Sequence, residues 1–169
     1  MSKKAVIWIS VVLYVLITLA IIGIVIAAVK PQIDKSRDKV AIEQTIVLLQ
    51  DLDEAISRAS ETQGTKLQRN IKLSKGTLTF NNLDNEISWQ LESNYQYSEE
   101  DSPINIGRIT AETKALGDRW KVILTLTYTN LNITFDSSDT IKTLTQADVP
   151  YSLFIENKGQ NNIDIIKEN

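Results

Sequence analysis

From Ala5 to Val29 the chain runs for 25 residues without a charge, and from Ile33 onward apolar positions return every three or four residues among charged ones. The first pattern predicts a membrane-spanning helix, because about 20 apolar residues rising about 1.5 Å each suffice to cross a bilayer. It is too long for the roughly 7 to 15 apolar residues of a secretory signal peptide, and Ala27-Ala28-Val29-Lys30 is a poor cleavage site for one. The second pattern, Val40, Ile42, Ile46, Leu49, Leu52 and Ile56, predicts one face of an amphipathic helix reaching about Ser60. Pro31 disfavours helical geometry at Lys30, so a bend or break is expected there. Charged neighbours at helical spacing, Asp34 with Asp38 and Lys35 with Lys39, read as a solvated face.

After Glu61-Thr62-Gln63-Gly64-Thr65 the hydrophobic period changes from 3.6 to 2. Leu78 and Phe80, then Ile87, Trp89 and Leu91, alternate with polar residues as strands do. The clearest strand is Trp120 to Thr129, with Trp120, Val122, Leu124, Leu126 and Tyr128 on one face and Lys121, Ile123, Thr125, Thr127 and Thr129 on the other. Ile133 with Phe135, Tyr151 with Leu153 and Ile155, and Ile163 with Ile165 continue the series. Asn157-Lys158-Gly159-Gln160 predicts a tight turn in which Gly159 takes a positive φ. The expected fold is α+β. A long N-terminal helix, transmembrane in its first half and amphipathic in its second, packs on a C-terminal antiparallel β-sheet domain so that each buries the other's apolar face.

Composition narrows the chemistry. All 21 acidic residues follow Val29, with 16 of the 18 basic ones, which leaves that part at −5. No basic face is then available to displace counterions from phosphates, and a nucleic-acid partner is not expected. The absence of cysteine removes disulfides and thiolate metal sites, and the absence of histidine removes the commonest general base and metal ligand. Glu99-Glu100-Asp101 precedes Pro103 in a polar stretch that reads as a mobile loop. Adjacent carboxylates there lack the spacing across a cleft that acid-base catalysis needs. Asp136-Ser137-Ser138-Asp139 reads as a polar turn rather than a calcium loop, since no EF-hand pattern surrounds it. No catalytic, cofactor-binding or metal-binding residue is expected, and no enzyme.

A short basic leader, a long hydrophobic helix passing into an amphipathic one, and a C-terminal β domain together resemble a type IV pilin-like protein, with the archaeal branch that includes archaellins the closer likeness. The ending from Tyr151 to Gly159 is similar to the closing strands of archaeal pilins. The resemblance implies a class III signal peptide at Lys4-Ala5-Val6, cut by a prepilin peptidase-like enzyme so that Val6 becomes the mature terminus. The segments expected are then a leader at 1–5, an assembly helix at 6–29, its amphipathic continuation at 30–60 and a β-rich head at 65–169. Bacterial pilins carry a glutamate near the start of the mature helix; this segment has no acidic residue, which favours the archaeal branch.

Assembly also follows from the residues. An apolar helix that leaves the membrane has to bury its surface on identical or similar neighbours, and non-closing heterologous contacts build open helical filaments. Ala20, Gly23 and Ala27 permit close helix approach, although small residues are common in any spanning helix. The expected function is a structural subunit or minor component of a pilus-like surface filament. The alternative is a permanently anchored extracytoplasmic β domain that binds a surface partner without polymerising. Positive charge alone, with Lys30, Lys35, Arg37 and Lys39 on the head side against Lys3 and Lys4, would place the head in the cytoplasm. The leader's resemblance, the Thr-, Asn- and Ser-rich head and the glycosylation sequon Asn132-Ile133-Thr134 favour an extracytoplasmic head on a single-pass membrane protein.

Overall fold

A computed structural model describes residues 3–138 and 140–168, the side chains of 3–7, 9 and 10 excepted. Helix α1, Lys3–Ser60, is continuous through Pro31. The proline removes one backbone bond to the preceding turn without ending the helix, whose propagation on both sides is cooperative. The chain forms two compact units, 1–37 and 38–169, and α1 contributes to both. Asp38, where the second unit begins, is the first buried residue among the described residues of the helix.

Among the described residues of the second unit ten strands follow the helix: β1 Lys66–Ile71, β2 Thr77–Asn81, β3 Glu86–Ser93, β4 Ile104–Ile106, β5 Ile109–Leu116, β6 Arg119–Thr127, β7 Asn132–Phe135, β8 Lys142–Thr145, β9 Tyr151–Gly159 and β10 Asn162–Lys167. They form two sheets, ordered β1-β9-β10-β7 and β4-β5-β6-β3-β2-β8. All pairings are antiparallel except β10 with β7, which run parallel. The long central strands β3 and β6 pair in register from Glu86 opposite Thr127 to Ser93 opposite Trp120. That register puts Ile87, Trp89 and Leu91 beside Leu126, Leu124 and Val122 on the inner face.

The core is a single cluster into which helix and both sheets project. From α1 come Ala41, Ile42, Ile46, Leu49, Leu52, Ala55, Ile56 and Ala59, and from the sheets Leu78, Phe80, Trp89, Leu124, Leu153, Ile155, Ile163 and Ile165. Val40, expected on this stripe, is exposed, as is Val47. It stands two residues from Ile42, about 200° around the helix, so the two side chains face apart. Phe80 of one sheet and Phe135 of the other meet with ring centroids 4.9 Å apart and planes at 45°, the tilted contact that aromatic quadrupoles favour.

Two turns differ from expectation. Strand β9 runs on through Asn157 and Lys158 to Gly159, and the turn to β10 is made by Gln160 and Asn161, with φ of 54° and 60°. Gly159 does take the expected positive φ, 87°, so three consecutive residues are left-handed here, and the φ signs at Gln160 and Asn161 are those of a type I′ hairpin. The register also shifts between Asn162 and Ile163, so Gly159 lies beside the turn instead of inside it. The loop at 99–101 is tied down: the Asp101 amide donates to the Thr113 carbonyl at 2.9 Å, and the Ser98 amide and hydroxyl both donate to Thr113 Oγ1.

Gly76 shows how closely the core is fitted. Its φ is +77°, and a Cβ added there would lie 2.6 Å from the Gln90 carbonyl oxygen and 2.7 Å from the Trp89 indole. Trp89 is fully buried and donates from Nε1 to the Lys75 carbonyl at 3.0 Å, so neither wall can retreat. Gly76→Ala is expected to destabilise the head by roughly 2–4 kcal/mol, combining positive-φ strain with overpacking. A urea melt followed by tryptophan fluorescence measures it; an unchanged midpoint would show that this turn relaxes freely.

Candidate functional site

The feature with the greatest capacity to act is the apolar stretch of α1 in the first unit. Its most apolar 18-residue window has a mean hydropathy of 3.0 and none of it is buried, so the helix is long and apolar enough to cross a membrane. Between Val11 and Val29, fourteen large apolar side chains are exposed. At about 1.5–3 kcal/mol for each when fully buried, the driving force for covering this surface is on the order of tens of kcal/mol. A surface of that size is an interface in search of lipid or protein.

Ala20, Gly23 and Ala27 stand on this stretch, all exposed, and a Cβ added at Gly23 meets nothing within 4 Å. Their spacings of three and four place them on one helical face. Lys4, Ala5 and Val6 belong to the first turns of α1, and their side chains lie outside the described residues. Thr18 returns its hydroxyl to the Tyr14 carbonyl at 2.8 Å, which satisfies the polar side chain within the helix itself.

In the second unit, three polar contacts hold the helix to the strands, and the hydrophobic pattern pointed to none of them. Asp38, expected on a solvated face, is 2% exposed. Its carboxylate accepts from Lys75 Nζ at 2.7 Å, from the Asn94 amide at 2.7 Å and from Asn94 Nδ2 at 3.0 Å. Burial opposes its ionisation, but the bonds from Lys75 and Asn94 outweigh burial and hold the carboxyl below its ordinary value. About four turns along, Asp53 accepts the Tyr128 hydroxyl at 2.9 Å and pairs with Arg108 at 2.9 Å, while the guanidinium sits 5.0 Å over the Tyr128 ring. Burial, and then the Asp53 charge, push the phenol's pKa up, so it remains a donor. At the end of α1, Asn157 Nδ2 donates to the Ala59 and Ser60 carbonyls at 2.9 and 3.3 Å, partnering helix-end acceptors that have no bond within the helix.

Asn132, the sequon asparagine, is exposed at the start of edge strand β7. Thr134 is not: it is 6% exposed and its hydroxyl donates to Asp164 at 2.9 Å. Asp164 is itself buried and accepts from the Ser137 amide and hydroxyl, so it organises the turn after β7. That turn includes Asp136-Ser137-Ser138; Asp139 lies outside the described residues. Among the described residues no cluster of three or more acidic side chains could hold a metal ion.

No family model matches the chain, and neither a curated protein nor a solved structure matches it. Any functional conclusion therefore stands on the geometry above.

The Asp38 contact carries a pH signature. Because its folded-state pKa is depressed from 3.8, its contribution is complete above the unfolded value and is lost as pH falls through the folded one. Asp38→Asn is expected to cost about 1–3 kcal/mol at neutral pH and to flatten the acid limb of stability below about pH 4. Urea midpoints of both proteins between pH 2 and 7 decide it; parallel curves would show that Asp38 contributes no charge-dependent stability. Asn157→Ala is expected to cost about 1–2 kcal/mol through the unpartnered carbonyls of Ala59 and Ser60. Hydrogen exchange in the last turn of α1 should quicken, and unchanged protection there would remove the capping role.

Proposed function

We propose that this protein is a non-catalytic structural subunit, major or minor, of a type IV pilus-like surface filament of the archaeal kind, assembling through its hydrophobic N-terminal helix. The observation that carries the proposal is a stretch of continuous, wholly exposed apolar helix joined to a head that closes its own core. A helix so apolar is stable in lipid before assembly and in a bundle of like helices afterwards, whereas the head needs neither. In this reading the leader is removed at Lys4-Ala5-Val6, the head is extracytoplasmic, and Ala20, Gly23 and Ala27 face neighbouring helices. A glycan on Asn132 would have to be added before β7 pairs, because the folded head keeps the Thr134 hydroxyl on Asp164.

Gly23→Leu separates assembly from insertion. Among the described residues nothing lies within 4 Å of a Cβ added at Gly23, and leucine favours the membrane, but close helix approach is blocked. Filament yield in the sheared surface fraction is expected to fall roughly tenfold, the effect of ~1.4 kcal/mol per contact, with the head's unfolding midpoint unchanged. Mass spectrometry of the native protein should find Val6 at the amino terminus. An intact Met1, with all protein retained in the membrane and none in sheared fibres, would replace the filament by the permanently anchored alternative.

A further inference from the structure

The apolar surface of the first unit ends at Val29, and Lys30, Lys35 and Arg37 follow within eight residues, all exposed. Asp34 is the only acidic residue among them. Lys30 and Arg37 are two helical turns apart, hence on one face and about 10.5 Å apart along the axis. Between and below them on that face, Val25, Ile26, Val29, Ile33 and Asp34 line a shallow groove of about 390 Å³. The groove is apolar toward the span, and its other end carries Lys30 and Arg37 with Asp34 between them, a net charge of +1.

We propose that Lys30, Lys35 and Arg37 form a collar that binds the phosphate of anionic phospholipids, with an acyl chain of the bound lipid lying along Val25, Ile26 and Val29. The proposal rests on the membrane-spanning reading of the helix. Depth supports it independently of charge. Trp8 is 72% exposed, and tryptophan favours the membrane interface. The 22 residue steps from Trp8 to Lys30 rise about 33 Å, close to the ~30 Å hydrocarbon core. With Trp8 at one boundary, Lys30 emerges at the other. Lys35 and Arg37 stand about 7.5 and 10.5 Å farther out, and their long side chains reach back to headgroup level.

Lys39 is excluded from the collar. It belongs to the second unit, where its Nζ lies 3.8 Å from Glu43 and 5.9 Å over the Tyr95 ring. It serves as a control of equal charge. Each collar residue at an anionic surface is expected to contribute about fivefold in lipid preference, screened over a length of about 10 Å at 0.1 M salt.

The test uses the full chain in dodecyl maltoside, with phosphatidylglycerol and phosphatidylcholine added in equal amounts and retained lipid counted by native mass spectrometry. The wild type is expected to retain phosphatidylglycerol at least tenfold over phosphatidylcholine, Lys39→Gln to match it, and the Lys30→Gln, Arg37→Gln double variant to fall to twofold or less. Equal retention by the wild type, or a preference that survives the double substitution, overturns the collar. Reconstitution into pure phosphatidylcholine vesicles separates the two levels. Protein that resists alkaline extraction yet shows no lipid preference sinks the collar alone, whereas protein released by alkali sinks the spanning helix and the collar with it.

Discussion

One helix has to satisfy two solvents. Its backbone groups are paired internally along its length, which is what allows a helix to enter hydrocarbon at all, so the difference between its ends rests on side chains alone. From Val11 to Val29 every described side chain is exposed and nearly all are apolar; from Asp38 to Ser60 apolar and small residues recur on one face and are buried there. The first stretch demands a partner that the protomer does not supply. The second finds its partner in the strands that follow it.

The head is built to keep that second stretch fixed. Two sheets share a core with the helix, and Phe80 against Phe135 joins them directly. Packing by itself tolerates sliding of a helix along an apolar surface, but Asp38, Asp53 and the carbonyls at Ala59 and Ser60 each meet a specific polar partner from a different loop or strand. Buried polar contacts of this kind penalise any other register, since a shifted carboxylate would be left unpaired away from water. The helix is thereby pinned at the start, middle and end of its buried length.

Much of this architecture was legible in the chain. The uncharged run, the change of period after Gly64 and the alternation in 120–129 each state a local environment, and local environments leave a periodic mark. Strands β1, β4, β5 and β8 left a weaker one. Strand β5 buries Ile109, Ala111 and Thr113, and alanine and threonine do not stand out from a polar stretch by hydrophobicity. The tip of the turn after Asn157 falls two residues later than expected: Gly159, the conspicuous turn former, takes its expected positive φ, but Gln160 and Asn161 take the left-handed conformation as well and make the turn. The exposure of Val40 was equally hidden, since two apolar residues two positions apart each fit a loosely drawn stripe.

What the sequence determined by itself was therefore the partition between an apolar helix without an internal partner and a β-rich head with one, because hydrophobic periodicity records which face of each element leaves water. Tertiary structure alone decided which polar residues became structural. Asp38 looks like any surface carboxylate until Lys75 and Asn94 arrive from 37 and 56 residues away, and Asn157 looks like a turn residue until it reaches helix carbonyls 98 and 97 positions earlier. Such pairings depend on strand order and register, which bring distant residues together, and no period within a segment encodes them.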